Sequence, residues 1–324
     1  MDFELSEQQQ DIARLAADVL SGSGPGTADP WKELARSGLL ALAVPTDLGG
    51  DGLGVLEVAV LLTEIGRRAV PVPALATLAT GVLPIARWGD AALRRELLPA
   101  AAAGELLLTA AAGGHPATVE DGTVSGTKTG VPYAAEAARI LVTAATGVVL
   151  VDPAGPGVTT TRTHTAGGQP EYTVRLDRAP VAAVLGTAHP LDLHRLAAAG
   201  ACCVADGALA GALKLTRDHV ATRRQFGRPL AGFQAVSQQI ADVYIAARTL
   251  HLVALSACWR LHTDRDADAD LEAATWWVTE EAVKGVMTCH HLHGGVGVDV
   301  SYPLHRFSSL IRDLSRFLGG ASVH

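Results

Sequence analysis

Three groups of residues in this chain of 324 amino acids have types and spacings suited to chemistry. Cys289, His290, His291 and His293 place four metal-binding donors within five residues. His290 and His293, three apart, share one face of a helix, as half of a zinc site would require. No second cluster of ligands accompanies them, so metal binding is not expected. Arg223-Arg224-Gln225-Phe226-Gly227-Arg228 gathers guanidinium groups around a turn. A planar guanidinium fork binds phosphate oxygens bidentately; the plainer reading is a surface arginine at a helix end. His194 stands within Leu191-Asp192-Leu193-His194-Arg195-Leu196, and histidine is the residue type suited to proton transfer near neutrality. The four cysteines, Cys202, Cys203, Cys258 and Cys289, form no CxxC pair and fall in helical segments. They read as reduced core thiols of a cytoplasmic protein. Trp276-Trp277 reads as packing or interface.

The elements that must position these residues follow from periodicity. Residues 1–103 read as helices. Ser6 and Gln9 have capping-box spacing before Ile12, Leu15, Ala16 and Val19. A turn is expected at Ser21–Gly26, a helix near Trp31–Ser37, a glycine cluster at Gly49, Gly50, Gly52 and Gly54, and helices over Val55–Arg67, Pro73–Arg87 and Ala91–Ala102. Residues 104–186 change character. β-branched runs at Leu106–Thr109, Thr123–Thr129, Ile140–Thr143, Val148–Val151, Val158–Thr161 and Tyr172–Leu176 alternate with Gly and Pro, as in a small antiparallel sandwich or barrel. Residues 187–324 return to long helices: Leu191–Thr222, a helix whose Phe233, Val236, Ile240, Val243, Ala247 and Leu250 mark one face, then Leu271–His291 beyond an acidic turn at Asp264–Asp270, and one near Pro303–Leu318. Short turns between them predict an antiparallel four-helix bundle. The fold class is therefore mainly α with a middle β domain.

Charged residues are 18% and hydrophobic residues 48%, with a net charge of −7. An acidic chain lacks the basic face of a general nucleic-acid or anionic-membrane binder. Aromatics at 4% leave little for base stacking. The N-terminal MDFELSEQQQ does not read as a signal peptide. Apolar runs are interrupted before 18 residues, by Asp206 for example, so no membrane span is expected. So little charge beside so much apolar content suggests a surface partly covered by a partner.

The segment Arg223-x-x-Phe226-Gly227-x-Pro229-Leu230-x-x-Phe233-Gln234 resembles the signature of the acyl-CoA dehydrogenases. His293-Gly294-Gly295-Val296-Gly297, with Ser301-Tyr302-Pro303 and Arg306, resembles that family's second C-terminal motif. Pro45 with Gly49-Gly50-Asp51-Gly52 is similar to its N-terminal turn. The resemblance implies an N-terminal helical domain (1–103), a middle β domain (104–186) and a C-terminal four-helix bundle (187–324). It implies FAD as cofactor and α,β-dehydrogenation of an acyl-CoA thioester, in which a glutamate takes the C2 proton and the flavin takes a hydride from C3. Arg223 matches the arginine that pairs with the FAD pyrophosphate. Phe226, Gln234, His291, Gly294 and Gly295 match further FAD contacts, which in this family reach the flavin of the neighbouring subunit.

The other half of the site departs from the family. The usual T-E-P-x-x-G-S-D loop reads Leu108-Thr109-Ala110-Ala111-Ala112-Gly113-Gly114, and the W-I-T segment reads Gly130-Val131-Pro132 after Lys128. Both family positions for the glutamate lack a carboxylate. One stretch reads Phe317-Leu318-Gly319-Gly320-Ala321-Ser322; at the other, His194 stands in its place. Asp192 and Arg195 match residues lining the CoA groove, or persist to cap and pair their helix. The chain is also expected to be short for this architecture, in the middle domain and at the C-terminal end. The resemblance thus points to the non-catalytic (beta) subunit of an α2β2 acyl-CoA dehydrogenase of the actinobacterial kind. In that reading FAD is shared with a homologous catalytic subunit, steroid side-chain CoA thioesters are a substrate class by analogy, and electrons leave to an electron-transfer flavoprotein. Two other readings stay open: a self-sufficient acyl-thioester dehydrogenase using His194 as base, and a structural subunit without cofactor contact.

Overall fold

The computed structural model describes residues 3–21 and 29–319. They fall into two compact units, one of residues 5–61 and 71–200, the other of residues 3–4, 62–70 and 201–319.

In the first unit, α1 (Glu7–Ser21) opens with the reciprocal cap its sequence predicts. Gln9 N–H donates to Ser6 Oγ at 3.3 Å and Ser6 N–H to Gln9 Oε1 at 3.0 Å. Ile12, Ala16 and Leu20, four apart, are buried. Apart from Ser21, the turn expected at Ser21–Gly26 lies outside the described residues. α2 (Pro30–Arg36) begins on Asp29, whose carboxylate accepts from Trp31 N–H at 3.0 Å. α3 (Val55–Arg68) follows the glycine cluster. The single helix expected over Pro73–Arg87 is instead a π-helical run, Leu75–Val82, leading into α4 (Leu83–Trp88). Pro84 has no N–H to complete the α-helical ladder there. α5 (Ala91–Ala102) is capped by Asp90, which accepts from Leu93 N–H at 2.8 Å.

Two four-stranded sheets complete this unit. They contain β1 (Leu108–Ala111), β2 (Thr118–Glu120), β3 (Thr123–Pro132), β4 (Arg139–Ala144), β5 (Gly147–Val151), β6 (Val158–Thr163), β7 (Glu171–Pro180) and β8 (Ala183–Val184). One sheet runs β1-β4-β5-β8, the other β2-β3-β7-β6. Val124, Val131, Ile140, Val142, Val149 and Val174 close the core between them. β1 pairs with β4 in parallel, which the antiparallel expectation did not include. The two intervening strands in the other sheet supply the long crossover that parallel pairing needs. β1 also rests on the π-helical run, where Thr77 Oγ1 donates to Leu108 O at 3.2 Å.

α6 (Pro190–Thr222) starts in the first unit, and its residues from 201 belong to the second. There, an added Cβ at Gly66 would overlap the Val204 carbonyl, and one at Gly207 the Thr63 carbonyl. Glycine thus brings the backbones of α3 and α6 into direct contact. A hairpin of β9 (Arg224–Gln225) and β10 (Arg228–Pro229) precedes α7 (Gln234–His262). The predicted inner face of α7 holds for Val243, Ala247 and Leu250, while Val236 and Ile240 are only half-buried. Where one helix was expected over Leu271–His291, α8 (Asp268–Trp276), a π-helical run Trp277–Ala282 and α9 (Val283–His293) follow one another. α8 starts inside the expected acidic turn, because Asp268 and Asp270 favour a helix N-terminus. α10 (Leu304–Phe317) closes the bundle.

Contrary to the expectation from apolar runs, α6 and α7 are both long and apolar enough to cross a bilayer. The apolar window of α6 is 94% buried, which marks a core helix; that of α7 is 33% buried. Asp206 interrupts the apolar run without shortening α6, since His251 Nδ1 lies 2.9 Å from its carboxylate.

Candidate functional site

The arginine-rich segment forms a tight hairpin at the end of α6. Arg224 pairs with Pro229 and Gln225 with Arg228, leaving Phe226 and Gly227 as the two turn residues. Both have left-handed backbones, at φ +50° and +81°. That geometry suits Gly227 and is unusual for a phenylalanine, so the hairpin imposes it. Arg224 Nη2 donates to Gly227 O at 3.0 Å and closes the turn. The result holds Phe226 out at 91% exposure. The Phe233 ring meets Phe226 edge-on at 6.1 Å and lies 4.0 Å from the Arg228 guanidinium. Arg223 and Gln234 are exposed on either side of the hairpin.

The second motif lies at the end of α9. Gly294 caps the helix at φ +60° and ψ −139°, a backbone region confined to glycine. A Cβ built on Gly294 or Gly295 would meet open space, so their peptide groups are accessible to a ligand. The two motifs meet through their helix ends. The His219 ring, one turn before Arg223, stacks on that of His293 at 4.4 Å and 24°. His293 Nδ1 lies 2.8 Å from Cys289 O, and Nε2 lies 3.1 Å from the Tyr302 hydroxyl. Burial lowers the pKa of both imidazoles, reinforced at His219 by Arg223.

The candidate metal donors do not converge: His291 is exposed, His290 half-buried, and His293 is committed to this stack. Among the described residues no three His, Cys, Asp or Glu side chains are placed to hold an ion. Burial pushes the Cys289 thiol up to about 11 and the Cys202 thiol to about 12. Cys203 and Cys258 approach to 3.4 Å between α6 and α7 as buried thiols.

The β-domain residues are turned to a different use. Thr109 is fully buried, and its hydroxyl donates to Pro132 O at 2.6 Å. Pro132 itself has no N–H to offer. Lys128, 1% exposed, donates from Nζ to His115 O and Thr143 Oγ1 at 2.7 Å each and to Gly113 O at 3.3 Å. Burial lowers its pKa to about 8. Sequence reasoning missed this role, yet Lys128 shares the parity of the buried Val124 along β3.

At the start of α6, Asp192 Oδ2 accepts from His189 N–H at 3.2 Å, and its other oxygen pairs with Arg195 at 3.3 Å. That is a helix cap with a local ion pair. His194, two residues on, is exposed. Gly320, Ala321 and Ser322 of the other glutamate-position stretch lie outside the described residues.

Helices, a two-sheet β region and a helical bundle, with a guanidinium hairpin and a diglycine turn stacked at two helix ends, define a flavin-dependent dehydrogenase architecture. The family descriptions "Acyl-CoA dehydrogenase, N-terminal domain" and "Acyl-CoA dehydrogenase, C-terminal domain" match residues 8–105 and 188–322. The acyl-CoA dehydrogenase FadE28 of Mycobacterium tuberculosis is 46% identical, over 99% of this chain and 96% of that protein. The ChsE4–ChsE5 complex, also from Mycobacterium tuberculosis, contains a chain that superposes with a TM-score of 0.91 at 32% identity, covering 99% and 96% of the two chains. The Tcur3481–Tcur3483 steroid ACAD superposes at 0.88 with 34% identity, covering 98% and 95%. The chain belongs to the acyl-CoA dehydrogenase family of oxidoreductases, whose cofactor is FAD. Of its own residues, those of the hairpin and the diglycine turn fit an anionic dinucleotide, through exposed guanidinium groups and open backbone. The buried Thr109 and Lys128 have their polar groups committed within the protein, Thr109 to the carbonyl of Pro132.

Proposed function

We propose that this chain is the non-catalytic subunit of a heteromeric acyl-CoA dehydrogenase, carrying one half of each FAD site while a homologous partner supplies the other half and the catalytic glutamate. The observation that carries this reading is the contrast within the chain. Arg223, Phe226, Gln234, His291, Gly294 and Gly295 are all exposed, whereas the Thr109 hydroxyl is consumed by Pro132 O. In this reading the Arg223 guanidinium binds the pyrophosphate, Phe226 and Gln234 pack against the cofactor, and Gly294–Gly295 let backbone approach it. Bound FAD would accept the hydride leaving C3 of the acyl thioester. No residue of this chain takes the C2 proton: His194 occupies a vacated position, and Asp192 with Arg195 caps α6 rather than gripping CoA.

Two further observations support a partner. Exposed apolar side chains are concentrated in the second unit: Tyr244, Ile245, Trp276, Val298 and Val300 are each more than half exposed. The ChsE4–ChsE5 structure is a complex, and the Tcur3481–Tcur3483 protein is a steroid ACAD, which supports steroid side-chain CoA thioesters as substrates. An electron-transfer flavoprotein is the proposed acceptor. Domain limits of 1–103, 104–186 and 187–324 go with this reading, and the buried, protonated thiols are consistent with a cytoplasmic setting.

The test is to purify the chain alone and with its co-encoded dehydrogenase, then count FAD per chain and assay dehydrogenation. Half a flavin per chain, with activity confined to the complex, is expected. One flavin per chain and activity from the lone protein would overturn the proposal. In that case, loss of activity in His194→Ala would identify His194 as the base.

A further inference from the structure

We infer that His219, His293 and Tyr302 are positioning residues that clasp the two cofactor-facing turns together, so that FAD retention depends on this imidazole pair remaining uncharged. The inference rests on the reading of Arg223 and Gly294–Gly295 as FAD contacts. Arg223 N–H donates to His219 O at 2.8 Å, so the arginine leaves α6 from the carbonyl of the stacked residue. His293 is the last residue of α9, immediately before Gly294. Both turns therefore inherit their separation from the 4.4 Å ring stack.

The hydrogen bonds settle the protonation this arrangement needs. Cys289 O can only accept, so His293 Nδ1 carries its proton and donates. Nε2 is then free to accept from the Tyr302 hydroxyl at 3.1 Å. Tyr302 thus ties the loop after the diglycine turn to the same ring. A second proton on His293 would remove that acceptor, and charging both rings would set two cations face to face. The surrounding charges add to this. On α6, Arg223 faces His219, and Asp218 faces Tyr302. On α9, His290 faces His293, with Arg312 and His305 of α10 in turn acting on His290. The only carboxylate among these bears on Tyr302 rather than on the rings, so a proton entering the stack meets net positive surroundings.

The experiment uses the FAD-loaded complex with the catalytic partner, and follows bound flavin by absorbance and released flavin by fluorescence from pH 8 to 5. Tryptophan emission tracks unfolding separately. Wild type is expected to release FAD while still folded, as the histidines charge below about pH 6.5. His219→Phe keeps a stacked ring but cannot take a proton, and should move the release midpoint down by about one pH unit. Tyr302→Phe removes the hydroxyl and should weaken FAD binding several-fold at pH 8. Should His219→Phe not fold, Tyr302→Phe carries the test. Release at the wild-type pH in His219→Phe, unchanged affinity in Tyr302→Phe, or release coincident with unfolding would overturn the clasp. Arg223→Ala separates the two levels. If it leaves FAD bound, the reading of the motifs fails; if it loses FAD while the clasp variants do not, only the clasp fails.

Discussion

The helix ends of the second unit and the loop–strand junction of the β domain present their polar groups in opposite ways. At the helix ends, polar and backbone groups are held outward by rigid devices: a two-residue hairpin turn, a glycine-only cap and a ring stack. In the β domain, Thr109 and Lys128 are buried, the hydroxyl donating to Pro132 O and the ammonium to His115 O, Thr143 Oγ1 and Gly113 O. A polar side chain can be withheld from a ligand by its own partner within the fold, as the Thr109 hydroxyl is by Pro132 O.

That contrast can be broken at either end. The largest effect is expected at the helix ends: in the complex, Arg223→Ala removes a charge-assisted contact of about 1.5–3 kcal/mol and should reduce FAD affinity roughly ten- to hundred-fold, measured by flavin titration of the apo complex. Unchanged affinity would erase the distinction between the regions. In the β domain, Lys128→Met removes the ammonium's hydrogen bonds, one of them to the buried Thr143 hydroxyl, and should cost about 1–2 kcal/mol in urea unfolding. FAD stoichiometry of whatever complex folds should stay the same; a fall in stoichiometry would show that this region still serves the cofactor.

Lys128 also has a pH signature. Its folded pKa, about 8, lies below its ordinary 10.5, so the unfolded chain holds the proton more tightly between those values. Stability should rise with pH across that window and be lowest once pH falls below about 8. The unfolding midpoint of wild type should climb relative to Lys128→Met between pH 8 and 9.5, and parallel curves would refute a titrating lysine. Thr109→Val should cost only about 1 kcal/mol, the net value of one hydrogen bond, again without loss of flavin. The smallest effect is expected at His194. It is exposed on the first turns of α6, and His194→Ala should leave dehydrogenation by the complex within twofold of wild type. A larger drop in the assay would restore it as a candidate base.

Much of the fold was legible because local rules agree with it. The Ser6–Gln9 cap and α5 stand where their residues place them, and most predicted helix and strand segments recur with shifted limits. The failures have local causes too. One expected helix is a π-helical run followed by a short α4 with Pro84 in its first turn. A crossover through another sheet produced a parallel pair that alternation cannot signal. On α7 the apolar stripe continues past the residues that are buried. Periodicity finds an apolar face without saying what covers it.

From the residues themselves came the order of helices, strands and helices, the two C-terminal motifs, and the absence of a carboxylate at His194 and across the stretch from Phe317. These depend on residue type and spacing along the chain. Only the tertiary structure could pair His219 with His293, 74 positions apart in sequence order, seat Lys128 among carbonyls, and turn the Thr109 hydroxyl onto Pro132. A side chain's partner depends on what the fold brings within about 3 Å of it, the range over which hydrogen bonds act. No period along the chain records that distance.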